Sequence, residues 1–454
     1  MRQAAENALG KWCAESHNQR YNNDACETIL SRVVVDLFLA RKRRFQQQDG
    51  MNVLLSVPWD NIGGVCNVVN AVASHLRRQG HGAWLLLEGD TDHPVQITSR
   101  IGLPAFRLKL RPPAVAGAPV KSRIGYALRR GSALRALRTV IGDLRIDVVN
   151  VHFPHDASVY FADLRESGVA KLATSIHGAD LLPYSNTTPP DHNSITSILS
   201  SSDVIISPSR SFVAAASKKW DVLRHQRVAI IPNGVDPDEL GYVVNSPWSE
   251  ATPPYVLSVA TLVPYKGVDV IIRAFALIAA DFPDLRLKLV SGGPSYAELV
   301  QLASGLGVGD RVDFTGPVDR AQVARFLADC TLFVLASRSN SESFGIAAAE
   351  AMALDRAVIA SDIGALPEMV RHGETGLLVG PGDPDALAEA MRRGLSDRPL
   401  RERLGRAAGT QVRRDYLWSR TGAAYESALS RVVAGEPILS SDSPLHPVSS
   451  APQT

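Results

Sequence analysis

Short apolar segments alternate with helical segments along most of this 454-residue chain, and the alternation occurs twice. The predicted strands of the first half are Asn52–Val57, Ala83–Leu87, Asp147–His152, Leu172–Ile176, Val204–Ser207 and Val228–Ile231. After a proline-rich break, Pro247 to Pro254, they are Tyr255–Val259, Leu285–Val290, Val312–Phe314, Leu332–Ala336, Val358–Ala360 and Gly376–Val379. Strands separated by helices run parallel and are joined by right-handed crossovers. The sequence therefore predicts an α/β fold with two doubly wound, Rossmann-like halves and a boundary near residues 236–254.

Composition excludes several classes of protein. The net charge of +2 provides no overall attraction to nucleic acid. The four cysteines are scattered without metal-ligand spacing, which fits a reducing compartment. No apolar stretch is long enough to span a membrane, and the N-terminus has no apolar segment typical of a signal peptide. We therefore expect a cytoplasmic protein.

Residues 1–49 differ from the rest of the chain. Apolar residues from Ile29 to Phe38 recur at helical spacing and precede the basic run Arg41–Arg44, which predicts an amphipathic helical extension. Two interpretations remain open: a helix packed on the domain (or a start codon assigned too early), and a helix on a membrane surface. The Ser- and Pro-rich tail 435–454 is predicted to be disordered.

A second basic segment lies within the first half. Its cations are Lys121, Arg123, Arg129, Arg130, Arg135, Arg138 and Arg145, and they are interleaved with Ile124, Leu128, Leu134 and Leu137. A solvated helix face has this composition. The alternative is peripheral docking of residues 121–145 on anionic lipid, at the inner face of the membrane, or on an anionic acceptor.

Several glycines and ionisable residues follow predicted strands directly, where ligands bind in open α/β sheets. Gly63 and Gly64 open the helix after the first strand, and His177 begins the sequence His-Gly-Ala-Asp180 after another. A loop histidine with an internal partner is the alternative for His177; His152 and His155 are weaker candidates.

In the second half, Lys266 lies on the loop after the strand Tyr255–Val259, where a cation could hold a diphosphate. An ordinary surface lysine is the alternative. Gly292 and Gly293 follow the next strand and would permit a close backbone approach by phosphate.

The segment Ser337–Leu354 contains the strongest local signal. It predicts a helix over Ser343–Ala353 with Glu342 at its entrance and Glu350 two turns further on, about 12 Å away on one side of the helix. The amides of Phe344, Gly345 and Ile346 would then point at a diphosphate, favoured by the helix dipole. Each glutamate alone could be a cap or a solvated charge, but an Ala-rich and buried setting requires a polar partner for Glu350.

Together these segments resemble the retaining GT-B glycosyltransferases, in particular the large family-four sugar transferases (glycosyl transferases group 1). The resemblance covers roughly residues 51–430. Its markers occur in order as GG at 63–64, HG at 177–178, PNGVD at 232–236, VPYKG at 263–267, SGGP at 291–294, ESFGIAAAE at 342–350 and HGETGLLVGPGDPDALAEA at 372–390.

The resemblance implies a role for each matching position. Glu350 would bind the donor ribose, and Glu342 would bind the hydroxyls of the transferred sugar. Lys266 and the amides of residues 344–346 would hold the diphosphate. His177 would lie against the sugar, and Gly64 would let its loop approach the phosphates. The predicted catalytic residues are His177, Lys266 and Glu342; the predicted donor-binding residues are Gly63, Gly64, Asp180, Gly293, Arg338, Phe344, Gly345, Ile346 and Glu350.

It also implies an acceptor-side domain over 50–240, a donor domain over 241–405 and a C-terminal helix over 406–434 that crosses back to the first domain. Two positions depart from the family. Thr261 occupies the place of an arginine five residues before Lys266, so Arg338 or Arg210 would have to supply that charge. The loop before Glu342 is two residues longer than in the family.

The expected reaction is transfer of a hexose from a nucleoside diphosphate sugar to a hydroxyl of a glycan, lipid-linked or small-molecule acceptor, with retention. No cofactor or metal is expected, because the Asp-x-Asp sequences at 90–92, 236–238 and 383–385 are typical of turns and a helix cap. Two alternatives remain: a nucleotide-sugar epimerase of the same architecture, and a non-catalytic GT-B-like binding protein.

Overall fold

The computed structural model describes residues 50–58, 63–99, 102–113, 120–183, 191–236 and 251–437, except for the side chains of Ser122 and Arg123. The predicted N-terminal helix, the domain boundary at 240/241 and residues 438–454 of the tail lie outside the described residues.

The first sheet contains every strand predicted for this half. Its strands are β1 (Asn52–Val57), β2 (Gly82–Glu88), β3 (Val95–Thr98), β4 (Pro104–Leu108), β5 (Val148–His152), β6 (Lys171–Ser175), β7 (Val204–Ser207) and β8 (Val228–Ile230). They are arranged in the order β3-β4-β2-β1-β5-β6-β7-β8 and are parallel, apart from β3, which is antiparallel to β4. The strands β3 and β4 were not predicted from the sequence. The mostly exposed edge strand β3 does not have the apolar run by which buried strands are recognised.

Helices cover this sheet: α1 (Gly64–Arg78), α2 (Val120–Leu144), α3 (Val159–Glu166), α4 (His192–Ser201) and α5 (Arg210–Ala216). The side chains of Asp191 and Ser209 cap α4 and α5, accepting from the amides of Ser194 and Phe212.

The second sheet consists of β9 (Tyr255–Val259), β10 (Arg286–Val290), β11 (Val312–Gly316), β12 (Leu332–Leu335), β13 (Val358–Ser361) and β14 (Leu377–Val379), all parallel, in the order β11-β10-β9-β12-β13-β14. Its helices are α6 (Val268–Ile278), α7 (Tyr296–Gly305), α8 (Arg320–Asp329), α9 (Ile346–Ala353), α10 (Leu366–Met369), α11 (Pro384–Ser396) and α12 (Arg398–Asp415). The predicted cap of α11 is confirmed, since Asp383 accepts from the amide of Ala386 and Pro384 is the first helical residue. The two sheets confirm the predicted α/β fold.

The last helix, α13 (Trp418–Ala434), packs against α1 of the first domain. Two backbone hydrogen bonds join Val235 to the chain between α12 and α13. The amide of Val235 donates to the carbonyl of Tyr416 (2.8 Å), and its carbonyl accepts from the amide of Trp418 (3.1 Å). The predicted start of the crossing helix at residue 406 differs from the structure. Residues 406–415 belong to α12, which packs on α9 of the second domain, and the chain crosses at Tyr416–Leu417.

In each sheet there is one pair of neighbouring strands from which the chain connections lead away to opposite sides of the sheet. In the first sheet this pair is β1 and β5, and in the second it is β9 and β12. Ligands of open α/β sheets bind beyond the carboxyl ends of such a pair. No helix of the described residues is long and apolar enough to cross a membrane.

Candidate functional site

The predicted site residues lie at these carboxyl ends. In the first domain, Gly64 begins α1 after β1, and His177 follows β6. In the second domain, Lys266 ends a short 3₁₀ turn after β9, and Glu342 lies on the loop after β12. The loops of the two domains touch each other here.

Close backbone contact between the domains depends on Gly178. It has φ +131°, and a Cβ atom there would clash with the carbonyl oxygen of Ser341 in the second domain. Next to it, the Ser343 hydroxyl donates to the carbonyl of His177, and the Ser341 hydroxyl donates to the carbonyl of Leu182. Hydrogen bonds therefore hold the loop before α9 against the loop after β6.

Two further contacts extend this junction. A Cβ atom at Gly64 would lie at ordinary contact distance, 3.5 Å, from Cδ1 of Ile346, so the starts of α1 and α9 adjoin. The carboxylate of Glu368 on α10 accepts from the amides of Arg210 (3.2 Å) and Ser211 (2.6 Å), at the start of α5.

Lys266 and Glu342 form a buried ion pair, with 2.7 Å between Nζ and Oε2. The Ser337 hydroxyl donates to the same Oε2 at 2.6 Å, and Glu342 is only 5% exposed. Burial acts to raise the pKa of Glu342, but the charge and hydrogen bond of Lys266 and the hydrogen bond of Ser337 together lower this pKa below the ordinary 4.5. Burial likewise acts to lower the pKa of Lys266, and the carboxylate raises it. Both groups are therefore charged at neutral pH.

This arrangement corrects the expected position of Glu342. The helix begins at Ile346, after Gly345 at φ +90°, so Glu342, Ser343, Phe344 and Gly345 precede it. The predicted 12 Å spacing along one helix is therefore wrong. A left-handed glycine and two serine contacts determine where Glu342 lies, and none of these is visible in helical periodicity.

Of the three amides predicted to bind a diphosphate, one lies in the helix and two lie before it. Ile346 is the first residue of α9 and has a free helical amide, as helix N-termini do. Phe344 and Gly345 lie before the helix. Phe344 is buried with its ring 5.6 Å from that of Tyr416, edge to face, so its side chain serves the core.

Glu350 lies inside α9, is 4% exposed, and pairs with Arg320 at the start of α8 at 2.6 Å. The structure thus supplies the polar partner that burial of Glu350 requires. Arg320 was not predicted, because α8 and α9 lie on either side of β12 in the sequence and only their packing shows that these two side chains meet.

His177 is half-buried. Its Nε2 lies 3.1 Å from Nδ1 of His152 at the end of β5. Burial lowers the pKa of His177 to about 3, so the ring is neutral. Asp180 accepts from the amides of His177 (2.8 Å), Gly178 (2.7 Å) and Leu181 (3.1 Å), and burial still raises its pKa to about 6. Both oxygens of Asp180 therefore shape the His177 loop.

The other predicted positions are structural neighbours of this centre. Gly293 packs against the backbone of Leu262. A Cβ atom at residue 293 would clash with the carbonyl oxygen of Leu262, so glycine is required here for close packing. Arg338 pairs with Asp269 at 2.5 Å. Thr261 is exposed, and the backbone amide of Arg210 binds Glu368. Gly63 is the N-cap residue of α1 in extended conformation.

The described residues contain no cluster of three or more His, Cys, Asp or Glu side chains arranged to hold a metal ion. The electrostatics of the centre come from the two ion pairs and the N-terminus of α9.

Two family models match consecutive parts of the chain. The model described as Glycosyltransferase Family 4 matches residues 62–239, and the model described as Glycosyl transferases group 1 matches residues 246–411.

The chain is also similar to individual proteins. N-acetyl-alpha-D-glucosaminyl L-malate synthase of Bacillus anthracis is 27% identical over 62% of this chain and 74% of its own length. D-inositol 3-phosphate glycosyltransferase of a Nocardioides species is 40% identical, but the match covers only 35% of this chain and 37% of that relative. The structure of sucrose-phosphate synthase from Thermosynechococcus elongatus has the same fold, with a TM-score of 0.69, 23% identity, and coverage of 85% of this chain and all of the other.

We predict that breaking the buried ion pair costs more than removing it. Replacing one partner leaves a buried charge unpaired, so Glu342→Gln or Lys266→Met should each lower the free energy of unfolding by about 3–5 kcal/mol. The double variant Lys266→Met/Glu342→Gln should lose clearly less than the sum of the two. Urea unfolding of the four proteins measures this coupling.

The acid dependence gives an independent check. Because the pKa of Glu342 is lower in the folded chain, its stabilisation is present above about pH 4.5 and is lost as pH falls through the folded pKa. The stability gap between the wild type and Glu342→Gln should therefore shrink in acid. Additive single effects with a constant gap would contradict the ion pair.

Proposed function

Because this chain belongs to the group 1 glycosyltransferases, we propose that it moves a hexose, with retained configuration, from a nucleoside diphosphate sugar to an acceptor hydroxyl. One observation carries the proposal. Lys266 and Glu342 pair on the loops after β9 and β12, just ahead of α9, and Glu350 inside α9 pairs with Arg320 at the start of α8.

The sugar end of the donor is assigned to Glu342. Both of its side-chain contacts use Oε2, and Oε1 has no partner among the described residues. Lys266 and Ser337 thus hold the carboxylate in place while one oxygen stays available for a sugar hydroxyl. His177 of the first domain lies beside the same loop, since its carbonyl accepts a hydrogen bond from the Ser343 hydroxyl.

The diphosphate is assigned to the start of α9. Free amides there carry the positive end of the helix dipole, and Gly64 brings the start of α1 beside Ile346. Lys266 has three N–H donors, of which Glu342 takes one and the Tyr265 side chain another, so the third can bind an anion. Arg338 is paired with Asp269, which leaves Lys266 and the helix terminus as the main source of charge for the leaving group.

The nucleoside is assigned to Glu350. Its charge is buried and directed by Arg320, and such an acceptor suits the two hydroxyls of a ribose. The donor is therefore held at three points, and chemistry follows from positioning and from stabilisation of the diphosphate charge. With no second carboxylate assigned as nucleophile, the leaving phosphate would accept the acceptor proton on the same face of the sugar.

The acceptor is proposed to be presented at an anionic membrane surface through α2. In the N-terminal half of this helix Val120, Ile124 and Leu128 are 68%, 54% and 75% exposed and, four residues apart, lie on one face. Exposed cations accompany them: Lys121, Arg129, Arg135 and Arg138. Leu137 is fully buried against the domain, so the apolar residues of this segment divide between core and surface. An exposed apolar face beside cations is complementary to an anionic lipid surface.

We predict that Glu350→Gln and Arg320→Gln weaken binding of a nucleoside diphosphate by about 10–100-fold, the cost of about 1.5–3 kcal/mol for a hydrogen bond to a charged group. Titration calorimetry with UDP, GDP and ADP measures it. The matched control is Asp313→Asn, which breaks the Arg286–Asp313 pair elsewhere in the second domain. Equal loss in the control, or none in the site variants, would contradict the assignment. Release of free sugar without any acceptor would favour an epimerase.

We predict that activity does not depend on a metal ion, because Lys266 and α9 supply the charge for the leaving group. Transfer by the wild type should be unchanged by EDTA, whereas Lys266→Met should lower kcat at least 100-fold. Loss of activity with EDTA that Mn²⁺ restores would overturn the proposal.

We predict that the double variant Ile124→Ser/Leu128→Ser loses most of its binding to vesicles of phosphatidylglycerol and phosphatidylcholine, with unchanged thermal stability. Wild-type binding should weaken with salt, because the cations act by screened attraction. The control is Leu277→Ser, an exposed leucine of the second domain. Vesicle sedimentation that is the same for all three proteins would exclude this surface.

A further inference from the structure

His152 is a buried histidine to which neither the family resemblance nor the proposed donor site gives a role. It lies at the end of β5 and is fully buried. Its ring lies edge to edge with that of His177, nearly coplanar, with 5.3 Å between centroids, and is nearly parallel to that of Tyr425 of α13, with 6.0 Å. The Tyr425 hydroxyl donates to Ser175 at 3.3 Å, which fixes that ring in turn. The His152 ring thus has one orientation.

One proton is shared between the two histidines. Nδ1 of His152 and Nε2 of His177 are 3.1 Å apart, and in a hydrogen bond between neutral rings only one of these nitrogens carries hydrogen. Burial lowers the pKa of both rings, so neither is charged at neutral pH. Two arrangements are therefore available, and they differ in which ring donates.

The other nitrogen of His152 decides between them. Nε2 is buried and has no hydrogen-bond partner among the described residues. If His177 donated, this nitrogen would carry hydrogen and would be a buried donor without an acceptor. If His152 donates from Nδ1, Nε2 is a bare acceptor, which proteins leave unpaired more readily than a buried N–H.

We infer that His152 is a positioning residue that fixes the tautomer of His177, so that His177 carries its hydrogen on Nδ1 and offers this N–H to an oxygen of the bound sugar. The inference rests on the proposed function for the identity of that ligand. In this tautomer Nδ1 of His177 can donate but cannot accept a proton. His177 therefore orients the donor and is not the base of the reaction.

The tautomer can be observed without activity. In protein with ¹⁵N-labelled histidine, bare and proton-bearing ring nitrogens resonate far apart, and the spectrum of His177→Asn identifies the signals of His177. We expect a bare Nε2 and a protonated Nδ1 for His177 in the wild type. A protonated Nε2 would overturn the inference, whether or not the protein transfers a hexose.

Variants of His152 test the consequence for catalysis. His152→Phe keeps an aromatic ring beside Tyr425 but removes the donor, and should lower kcat/KM for the nucleotide sugar about tenfold while moving the His177 hydrogen to Nε2. His152→Asn places an amide N–H where Nδ1 was and should restore most of kcat/KM and the original tautomer. His75→Asn is the control: it removes another buried histidine of the same domain, which pairs with Glu426.

Either of two results would contradict the role of His152. One is wild-type kcat/KM in His152→Phe, and the other is an equal loss in Phe and Asn variants that keep the original His177 tautomer. If His152→Phe does not fold, the wild-type spectrum decides alone.

Discussion

The contact between Lys266 and Glu342 connects the two loops that follow β9 and β12 in the second domain. A buried charge is costly unless it has a partner of opposite sign and further hydrogen bonds. Here Lys266 comes from the loop after β9, while Glu342 and Ser337 come from the loop after β12. Since β9 and β12 adjoin where the connections of the sheet change direction, the pair places both loops at one point. The start of α9 and the Ser343 contact to the first domain follow from that placement.

The contact between the two domains depends on a residue without a side chain. Gly178 allows its backbone to touch that of Ser341, and nearby the start of α1 at Gly64 adjoins Ile346. The carboxylate of Glu368 in the second domain lies at the N-terminus of α5 in the first, so its negative charge is attracted by the dipole of that helix. The first domain thereby supplies His177 to a centre whose charges belong to the second. His152 and Tyr425 lie behind His177, and through Tyr425 the crossing helix α13 also takes part.

Much of the fold followed from the sequence, because a strand buried on both faces must be apolar throughout its length. All strands that we predicted occur in the structure. Six of the seven family markers follow a strand, whereas the last, 372–390, contains β14 and extends into α11. The exposed strand β3 has no such pattern and was missed. The boundary between α12 and α13 was missed for a different reason. Both helices are amphipathic, and only contact with different domains separates them at Tyr416.

For the site, the sequence by itself determined which residue types follow which strands, and therefore that Lys266, Glu342, Glu350 and His177 belong at one edge of the sheets. It could not determine their partners. Arg320 meets Glu350 because α8 and α9 pack together, and His152 meets His177 because β5 and β6 adjoin in the sheet. The position of Glu342 before α9 depends on the backbone at Gly345 and on contacts to another loop. Tertiary structure alone decided these pairings, since hydrogen bonds and ion pairs depend on distances of about 3 Å that sequence spacing does not define.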